Sequence, residues 1–217
     1  MKACIFDLDG TLTDTLESLT FSVSETLKEM GLPPITPEEC RSFVGNGARV
    51  LMEKALAATG ETDGRRIEEG MEIYGRIFDA NCTYHVTPYE GVREMLAELK
   101  ACGVRLGVLS NKPHRQTVKV VREIFGEDVF DSVRGQTEKI ARKPDPAGVF
   151  RLMEELETTK EECLYVGDSE VDIRTGRNAG VRTIGVTWGF RSRETLKEAG
   201  AETMIDTPGE LTKIYIL

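Results

Sequence analysis

Two hydrophobic patterns alternate along the chain, and together they predict an α/β architecture. Short continuous apolar runs are typical of buried strands in a parallel sheet, whereas apolar residues three or four positions apart indicate amphipathic helices. The runs predict strands at 3–6, 104–109, 132–133, 163–166, 181–186 and 204–205. The helical spacing predicts helices at 16–30, 50–60, 67–78, 92–102, 114–125, 146–157 and 171–179, and one from Pro37 with Thr36 as N-cap. Strands that alternate with helices predict a doubly wound parallel sheet joined by right-handed crossovers.

A long, purely helical stretch separates the first predicted strand from the next. Residues 15–85 show helical spacing without a convincing strand pattern, and the alternation of helices and strands begins after Pro88. This organisation predicts a small all-helical domain, residues 15–85, inserted into a sheet domain made of residues 1–14 and 86–217.

Composition and charge narrow the expected class of protein. The 217 residues suffice for one α/β domain with a smaller insertion, and a net charge of -9 argues against nucleic-acid and anionic membrane partners. No apolar run approaches the ~18 residues of a membrane span. The five cysteines are odd in number and widely spaced, which favours free thiols over disulfides or a zinc site. We expect a cytoplasmic monomer or homodimer.

Two acidic residues directly follow the first predicted strand. Asp7 and Asp9 stand at its end, Gly10 then allows a sharp turn, and Thr11 offers a hydroxyl group. Ligands of open parallel sheets bind outside the carboxyl ends of the strands, so both carboxylates are expected to face a site. The simpler alternative is an ordinary acidic turn before a helix.

Later segments that follow strands or precede helices carry further candidate ligands. Ser110 and Asn111 follow the second predicted strand, where a hydroxyl and backbone N–H groups at a helix start can bind an anion. Lys143 stands beside a proline before a helix, and Asp168 and Asp172 follow another strand. Carboxylate oxygens in such positions suit Mg²⁺. Taken singly, these residues are also explained as helix caps or as a solvated lysine.

Taken together, the motifs resemble those of the haloacid dehalogenase (HAD) superfamily. They occur in the family's order and span essentially the whole chain. The four motifs are Asp7-x-Asp9-Gly10-Thr11-Leu12-x-Asp14, Ser110-Asn111-Lys112-Pro113, Arg142-Lys143-Pro144-Asp145-Pro146 and Gly167-Asp168-Ser169-Glu170-Val171-Asp172. The resemblance implies a Rossmann-like core, a helical cap formed by the insertion, and a Mg²⁺-dependent phosphatase.

The resemblance also implies a role for each candidate residue. Asp7 is the expected nucleophile, which forms an aspartyl-phosphate, and Asp9 is the expected general acid and base. Mg²⁺ is expected on Asp7, on the main-chain carbonyl of Asp9 and on Asp168, while Asp172 supports either the waters of the metal or Lys143. The transferred phosphate is expected to contact Thr11, Ser110, Asn111 and Lys143.

Substrate choice is expected to lie in the insertion, because the core motifs contact only the phosphate. Gly45, Asn46 and Gly47 form a loop that can approach a ligand closely, and Arg49 can bind a carboxylate bidentately. A plain turn between helices explains the two glycines equally well. With the core motifs, this loop looks most like phosphoglycolate phosphatases, which predicts 2-phosphoglycolate or a related small phosphorylated metabolite as substrate.

Other activities on a similar core remain open. Sugar-phosphate phosphatases, pyrophosphatases and β-phosphoglucomutase relatives would retain the same core residues. A haloacid dehalogenase needs neither Asp9 nor Mg²⁺, and a phosphonoacetaldehyde hydrolase lacks an acid at that position, although Lys54 offers the lysine that it requires. A non-enzymatic binding module would be expected to lose Asp7 or Asp9. The residues interpreted as packing or surface groups are His85, His114 and Trp188.

Overall fold

The computed structural model describes residues 1–61 and 63–216. The strands are β1 (Ala3–Phe6), β2 (Thr13–Asp14), β3 (Thr87–Pro88), β4 (Arg105–Pro113), β5 (Ser132–Gln136), β6 (Cys163–Gly167), β7 (Arg182–Val186) and β8 (Thr203–Ile205). The helices are α1 (Leu16–Glu29), α2 (Pro37–Phe43), α3 (Ala48–Ala58), α4 (Gly64–Asn81), α5 (Val92–Ala101), α6 (His114–Phe125), α7 (Ala147–Glu155), α8 (Glu170–Ala179), α9 (Arg193–Glu198) and α10 (Gly209–Ile216). None of the helices in these two ranges is long and apolar enough to span a membrane.

Six strands form one parallel sheet whose order brings the candidate motifs side by side. The order is β5-β4-β1-β6-β7-β8, so β1 lies between β4 and β6. Phe6, the last residue of β1, is in register with Val108 of β4 and Val166 of β6. The segments that follow these three strands therefore leave the sheet at the same end, where ligands of open α/β sheets bind.

Helices cover both faces of this sheet, as the continuous apolar runs predict. Successive side chains of a strand point to opposite faces. Cys4 and Phe6 of β1 accordingly pack in one hydrophobic cluster with α5 and α6, and Ala3 and Ile5 pack in a second cluster with α7 and α8. All four side chains are fully buried. The predicted doubly wound α/β fold is confirmed.

The structure departs from the hydrophobic pattern in short elements. β4 continues past the predicted end at 109 through Pro113, so Ser110 and Asn111 lie in an extended segment, whereas α6 begins at His114 as predicted. The hydrophobic pattern does not predict β2, β3, α9 or α10. These elements are too short to show a clear periodicity. A short 3₁₀-helix at Lys160–Glu162 also precedes β6.

Helices α1 to α4 lie between β2 and β3 and form the helical insertion. The two short strands pair in antiparallel fashion, so the chain leaves the sheet domain and returns to it at one place. The predicted Thr36 N-cap is confirmed, since its side chain accepts a hydrogen bond from the Glu39 N–H and the Glu39 carboxylate accepts one from the Thr36 N–H. The domain limits at residues 15 and 85 stay a prediction.

The packing of α5 against the sheet gives a prediction about stability. Leu96 is almost fully buried in the larger cluster, whereas Glu98 on the same helix is exposed. Leu96→Ala should lower the free energy of unfolding by about 2–5 kcal/mol, because it removes buried methyl groups and leaves a cavity. Glu98→Ala should change it by less than about 0.5 kcal/mol. Urea unfolding of both variants measures the difference, and equal effects would contradict this account of the core.

Candidate active site

The ammonium group of Lys143 lies buried between two carboxylates at the carboxyl end of the sheet. Its Nζ is 2.8 Å from Asp7 Oδ1, just after β1, and 2.8 Å from Asp172 Oδ1 in the first turn of α8. Burial disfavours the ammonium, but the charges of Asp172 and Asp7 outweigh burial and raise the pKa of Lys143 well above its ordinary value. Lys143 is therefore a fixed cation next to Asp7.

Both oxygens of Asp172 are engaged in hydrogen bonds. Oδ1 accepts from Lys143 and, at 3.0 Å, from the Tyr165 hydroxyl, while Oδ2 accepts from the Ser169 N–H and hydroxyl at 3.1 and 2.5 Å. The Ser169 hydroxyl in turn accepts from the Asp172 N–H, which makes a capping box at the start of α8. Of the two roles predicted for Asp172, these contacts favour support of Lys143.

Asp168, which follows β6, is held by two uncharged donors. Its Oδ1 accepts from the Thr11 hydroxyl at 2.9 Å, and its Oδ2 accepts from the Phe190 N–H at 2.8 Å. Burial, with a further contribution from the charge of Asp172, raises the pKa of Asp168 to about 7. The Thr11 hydroxyl, predicted to bind phosphate, is thus engaged in orienting Asp168.

Asp7, Asp168 and Asp172 form an acidic cluster in which one oxygen of each lies within 4.8 Å of the others. Burial raises the pKa of Asp7 well above its ordinary value, with repulsion from Asp172 adding to the effect and Lys143 opposing it. A hard dication that prefers oxygen ligands would offset this excess of buried negative charge, so the donor set fits Mg²⁺. Asp172 has both oxygens engaged, one of them by the Lys143 ammonium, whereas among the described residues Asp168 accepts only from uncharged donors and the partners of Asp7 all lie on Oδ1. Asp7 and Asp168 are therefore the better placed ligands.

The Asp9 carboxylate forms an ion pair with Lys112, a residue for which the sequence suggests no role. Only 12% of the Asp9 side chain and 2% of the Lys112 side chain are exposed. The Lys112 Nζ also lies 5.4 Å from the ring centre of Phe78 on α4, which is a cation–π contact with the insertion. Lysine side chains are usually exposed to solvent, so the sequence does not predict that Lys112 is buried.

Ser110 and Asn111 lie next to each other, but their side chains make different contacts. The buried Ser110 hydroxyl accepts a hydrogen bond from the Lys112 N–H at 3.2 Å. The Asn111 side chain accepts from the Lys143 N–H at 2.9 Å and donates to the carbonyls of Lys143 and Gly45, each at 3.0 Å. Asn111 therefore ties the Lys143 segment to the insertion.

These groups surround one cavity between the sheet domain and the insertion. Its volume is about 50 Å³, which accommodates a few water molecules or one small ligand. The sheet domain contributes Asp7, Asp9, Ser110, Asn111, Lys143 and Asp168 to its lining. The insertion contributes apolar and aromatic side chains from three helices, Leu19, Leu51, Tyr74 and Phe78. The candidate catalytic residues thus share a small chamber with a largely apolar wall.

The glycine loop of the insertion reaches this cavity. Gly45 and Gly47 both contribute to the lining, and the Asn46 carbonyl accepts a hydrogen bond from Arg142 at 2.9 Å. Gly47 has a φ of +85°, and a Cβ atom there would lie 3.3 Å from the Asn111 carbonyl oxygen. Glycine is favoured here by the backbone conformation and by this close approach.

Arg49 lies outside the cavity. It is in the first turn of α3, and its guanidinium forms an ion pair with Glu68 of α4 at the surface of the insertion. About half of the Arg49 side chain is exposed, and it does not belong to the cavity lining found among the described residues. The structure therefore offers no support for the predicted carboxylate contact of Arg49.

Arg191, after β7, joins the insertion to the sheet domain, and no sequence motif marks it. Its guanidinium donates to the carbonyls of Arg41 and Val44 at 2.7 and 2.5 Å, and its Nε is 3.1 Å from a Glu170 carboxylate oxygen. It also contributes to the cavity lining. Arg191 thus holds the segment that leads into the glycine loop.

The three residues interpreted as packing or surface groups have different environments. Trp188 Nε1 donates to the Thr11 carbonyl at 3.0 Å and so supports the loop that follows β1. His114 Nδ1 accepts from the Gly135 N–H at 3.2 Å. His85 is mostly exposed. Trp188 alone among these three touches the loop of the candidate nucleophile.

Known proteins resemble this chain over nearly its whole length. The family model of the haloacid dehalogenase-like hydrolases matches residues 4–186. Phosphoglycolate phosphatase 1 of Pseudomonas aeruginosa is 34% identical over 97% of this chain and 78% of its own length. Phosphoglycolate phosphatase of Colwellia psychrerythraea is 30% identical over 97% and 95%, respectively. The crystal structure of a predicted phosphoglycolate phosphatase from Haemophilus somnus superposes with a TM-score of 0.92 at 27% identity, covering 99% of this chain and 98% of that one.

The contacts of Arg191 give a prediction about the position of the insertion. Arg191→Ala removes charged donors from the Arg41 and Val44 carbonyls, so backbone amides in residues 41–47 should exchange hydrogen at least about tenfold faster. Arg193→Ala, which removes an exposed pair with Asp206 two residues further on, is the control and should leave this segment unchanged. Hydrogen–deuterium exchange followed by mass spectrometry measures both, and unchanged exchange in Arg191→Ala would contradict the role assigned to this residue.

Proposed function

The chain belongs to the haloacid dehalogenase-like hydrolase family, and we propose that it hydrolyses small phosphate monoesters, with 2-phosphoglycolate as the first candidate substrate. The observation that carries this proposal is the meeting of Asp7, Asp9, Lys143 and Asp168 around one small cavity. A carboxylate nucleophile, an acid, a fixed cation and a metal-binding carboxylate are the groups that phosphoryl transfer through a covalent intermediate needs. The names of the relatives supply the candidate substrate.

Asp7 acts as the nucleophile in this proposal. Its Oδ1 accepts hydrogen bonds from the Leu8 N–H at 2.7 Å and from Lys143 at 2.8 Å, so Oδ2 is the oxygen presented for attack. Attack forms a bond from Oδ2 to phosphorus and breaks the bond from phosphorus to the leaving-group oxygen. Lys143 and the Ser110 hydroxyl share the negative charge of the phosphoryl oxygens.

Asp9 acts first as a general acid and then as a general base. It protonates the leaving-group oxygen in the first step, and the alcohol departs. In the second step it takes a proton from the water that attacks the aspartyl-phosphate, which releases phosphate and restores the Asp7 carboxylate. Asp9 suits these steps because it is nearly buried in the same cavity as Asp7.

Asp7 and Asp168 are the residues that would hold Mg²⁺, with the main-chain carbonyl of Asp9 as the third predicted ligand. When bound, the dication would reduce the repulsion between an anionic phosphate and the Asp7 carboxylate. The raised pKa values of both buried carboxyls support this assignment, because a neighbouring cation would favour their ionised forms. Asp172 acts through Lys143 and is a positioning residue.

The cavity favours a small substrate over a sugar phosphate. Its volume is only about 50 Å³, so a compact ester fits better than a hexose phosphate does. Leu19, Leu51 and Phe78 make most of the insertion's wall apolar, and among its described side chains only the Tyr74 hydroxyl offers a hydrogen-bond partner to the several hydroxyl groups of a hexose. Both features favour 2-phosphoglycolate over hexose phosphates.

We also propose that the enzyme works in the cytoplasm. All five cysteines are free thiols, which suits a reducing compartment. The net charge of -9 argues against nucleic acid and an anionic membrane as partners.

A substrate panel tests the proposed function. With Mg²⁺, kcat/KM for 2-phosphoglycolate should exceed that for hexose phosphates and pyrophosphate, and EDTA should abolish turnover until Mg²⁺ is restored.

Asp7→Asn should be inactive, because an amide cannot form the acyl-phosphate, whereas Asp128→Asn at an exposed position should keep the wild-type rate. Phosphate release measures all of these. If the enzyme prefers pyrophosphate or a hexose phosphate, 2-phosphoglycolate is not the substrate. If it isomerises a hexose phosphate without releasing phosphate, it is a mutase.

The two duties of Asp9 can be separated by the choice of leaving group. An alkoxide needs a proton in order to leave, whereas p-nitrophenolate does not, but hydrolysis of the aspartyl-phosphate needs a base in both cases. In Asp9→Ala, an alkyl phosphate should therefore be turned over about 10²–10⁴-fold more slowly without a burst. p-Nitrophenyl phosphate should give a rapid burst approaching one nitrophenol per site, followed by a slow steady rate.

Rapid quench measures the burst, and mass spectrometry of the quenched protein should find phosphate on Asp7. Asp128→Asn again serves as the control that keeps both steps intact. If Asp9→Ala hydrolyses both esters at the wild-type rate, Asp9 is only a turn residue.

A further inference from the structure

Three cationic side chains contribute to the cavity lining, and they differ in how fully they are engaged. Lys143 is fixed between its two carboxylates, and Arg191 is bound to a glutamate and to carbonyls of the insertion. The Lys112 Nζ has one hydrogen-bond partner among the described residues, Asp9. An ammonium group carries three N–H donors, so Lys112 retains donors for a ligand.

Lys112 extends from the phosphate side of the cavity to the wall formed by the insertion. Its backbone N–H contacts the hydroxyl of Ser110, which is a candidate phosphate ligand. Its Nζ lies against the ring of Phe78, and this ring stacks on Tyr74 with ring centres 5.1 Å apart. The Lys112 ammonium therefore lies on the insertion side of the cavity. There it can contact an anionic group on the substrate carbon that bears the phosphate ester.

We propose that Lys112 binds the carboxylate of a phosphorylated carboxylic acid and so selects this substrate class, an inference that rests on the proposed phosphatase function. The side chain is 2% exposed, and a charge-assisted hydrogen bond is strongest where water is excluded. The contact replaces the one predicted for Arg49, which lies outside the cavity.

Binding of a carboxylate to Lys112 also changes the surroundings of Asp9. Asp9 Oδ1 accepts a hydrogen bond from Lys112 in the structure. A ligand carboxylate that binds the remaining donors shares the charge of the ammonium group and weakens its pair with Asp9, so the Asp9 carboxyl is more available to the leaving-group oxygen. An uncharged ester does not compete in this way. Lys112 is therefore expected to affect both KM and kcat for esters that carry a carboxylate.

Two phosphonates test the contact without turnover, since their P–C bonds are not hydrolysed. 3-Phosphonopropionate has the shape and charges of 2-phosphoglycolate, and propylphosphonate replaces its carboxylate by a methyl group. In calorimetric titrations of the full chain with Mg²⁺, the wild type should bind 3-phosphonopropionate about 10- to 100-fold more tightly. Lys112→Met, which keeps an unbranched side chain as far as Cε but removes the ammonium group, should abolish this preference.

Control variants separate recognition from a general structural effect. Lys119→Met removes another lysine that reaches from α6 to α4, where its Nζ donates to the Asp79 carbonyl at 3.2 Å. This variant should keep the preference for 3-phosphonopropionate. Lys112→Arg should restore part of it, because the charge remains. Circular dichroism and thermal unfolding report whether each variant is folded.

Kinetics supply the second measurement. The ratio of kcat/KM for 2-phosphoglycolate to that for 2-hydroxyethyl phosphate should fall in Lys112→Met by about 10- to 100-fold, as expected for a lost charged hydrogen bond. A loss that is equal for both esters would indicate a structural role and would overturn the proposal. So would a wild type that binds both phosphonates equally, whether or not the variants fold.

The two proposals can fail separately. If the wild type hydrolyses phosphate esters but shows no preference between the phosphonates, the assignment of Lys112 is wrong and the phosphatase function stands. If it hydrolyses none of the esters but prefers 3-phosphonopropionate in a Lys112-dependent way, the carboxylate contact stands and the phosphatase function is wrong.

Discussion

The burial of the Lys143 ammonium between the carboxylates of Asp7 and Asp172 is the interaction on which the rest of the site depends. A buried charge costs several kcal/mol unless it is paired and fully hydrogen-bonded, and removal of one partner from a buried pair typically costs about 3–5 kcal/mol. Tyr165 and Ser169 complete the hydrogen bonds of Asp172. The segments after β1 and β6 and the segment before α7 are thereby fixed relative to one another before any ligand binds.

The same segments also set the position of the insertion. Asn111 bonds to the backbone of Lys143 on one side and to the Gly45 carbonyl on the other. Arg142, next to Lys143, bonds to the Asn46 carbonyl. The glycine loop is therefore held by the residues that hold the catalytic cation. A change in the position of the loop would be transmitted through the side chains of Asn111 and Arg142, which link the insertion directly to the site.

The sequence predicts much of this arrangement because parallel strands in register bring their carboxyl ends together. Asp7 and Asp168 follow β1 and β6, and Ser110 follows the apolar run of β4, so each stands towards the carboxyl end of a predicted strand. The order that makes these three strands neighbours comes from the structure. The environment of Lys112 could not be predicted, since it depends on an aromatic ring that α4 brings across from the insertion. The predicted role of Arg49 lacks support for a related reason. Its ion pair with Glu68 joins two helices, and no local sequence pattern reveals their contact.

Charge in the cavity is distributed differently from charge over the whole chain. The net charge of -9 suggests an unfavourable surface for an anionic substrate, yet Lys112, Lys143 and Arg191 all contribute to the cavity lining. Asp7, Asp9 and Asp168 also contribute to the lining, so its described part carries three acidic and three basic side chains. Burial is the largest cause of the raised pKa of Asp7 and of Asp168, and the charge of Asp172 adds to it. A phosphate dianion that enters this small cavity adds negative charge that the side chains of the lining do not compensate. Binding of an anionic ester and of a divalent cation should therefore favour each other, and neither the net charge nor the cavity shape alone determines affinity.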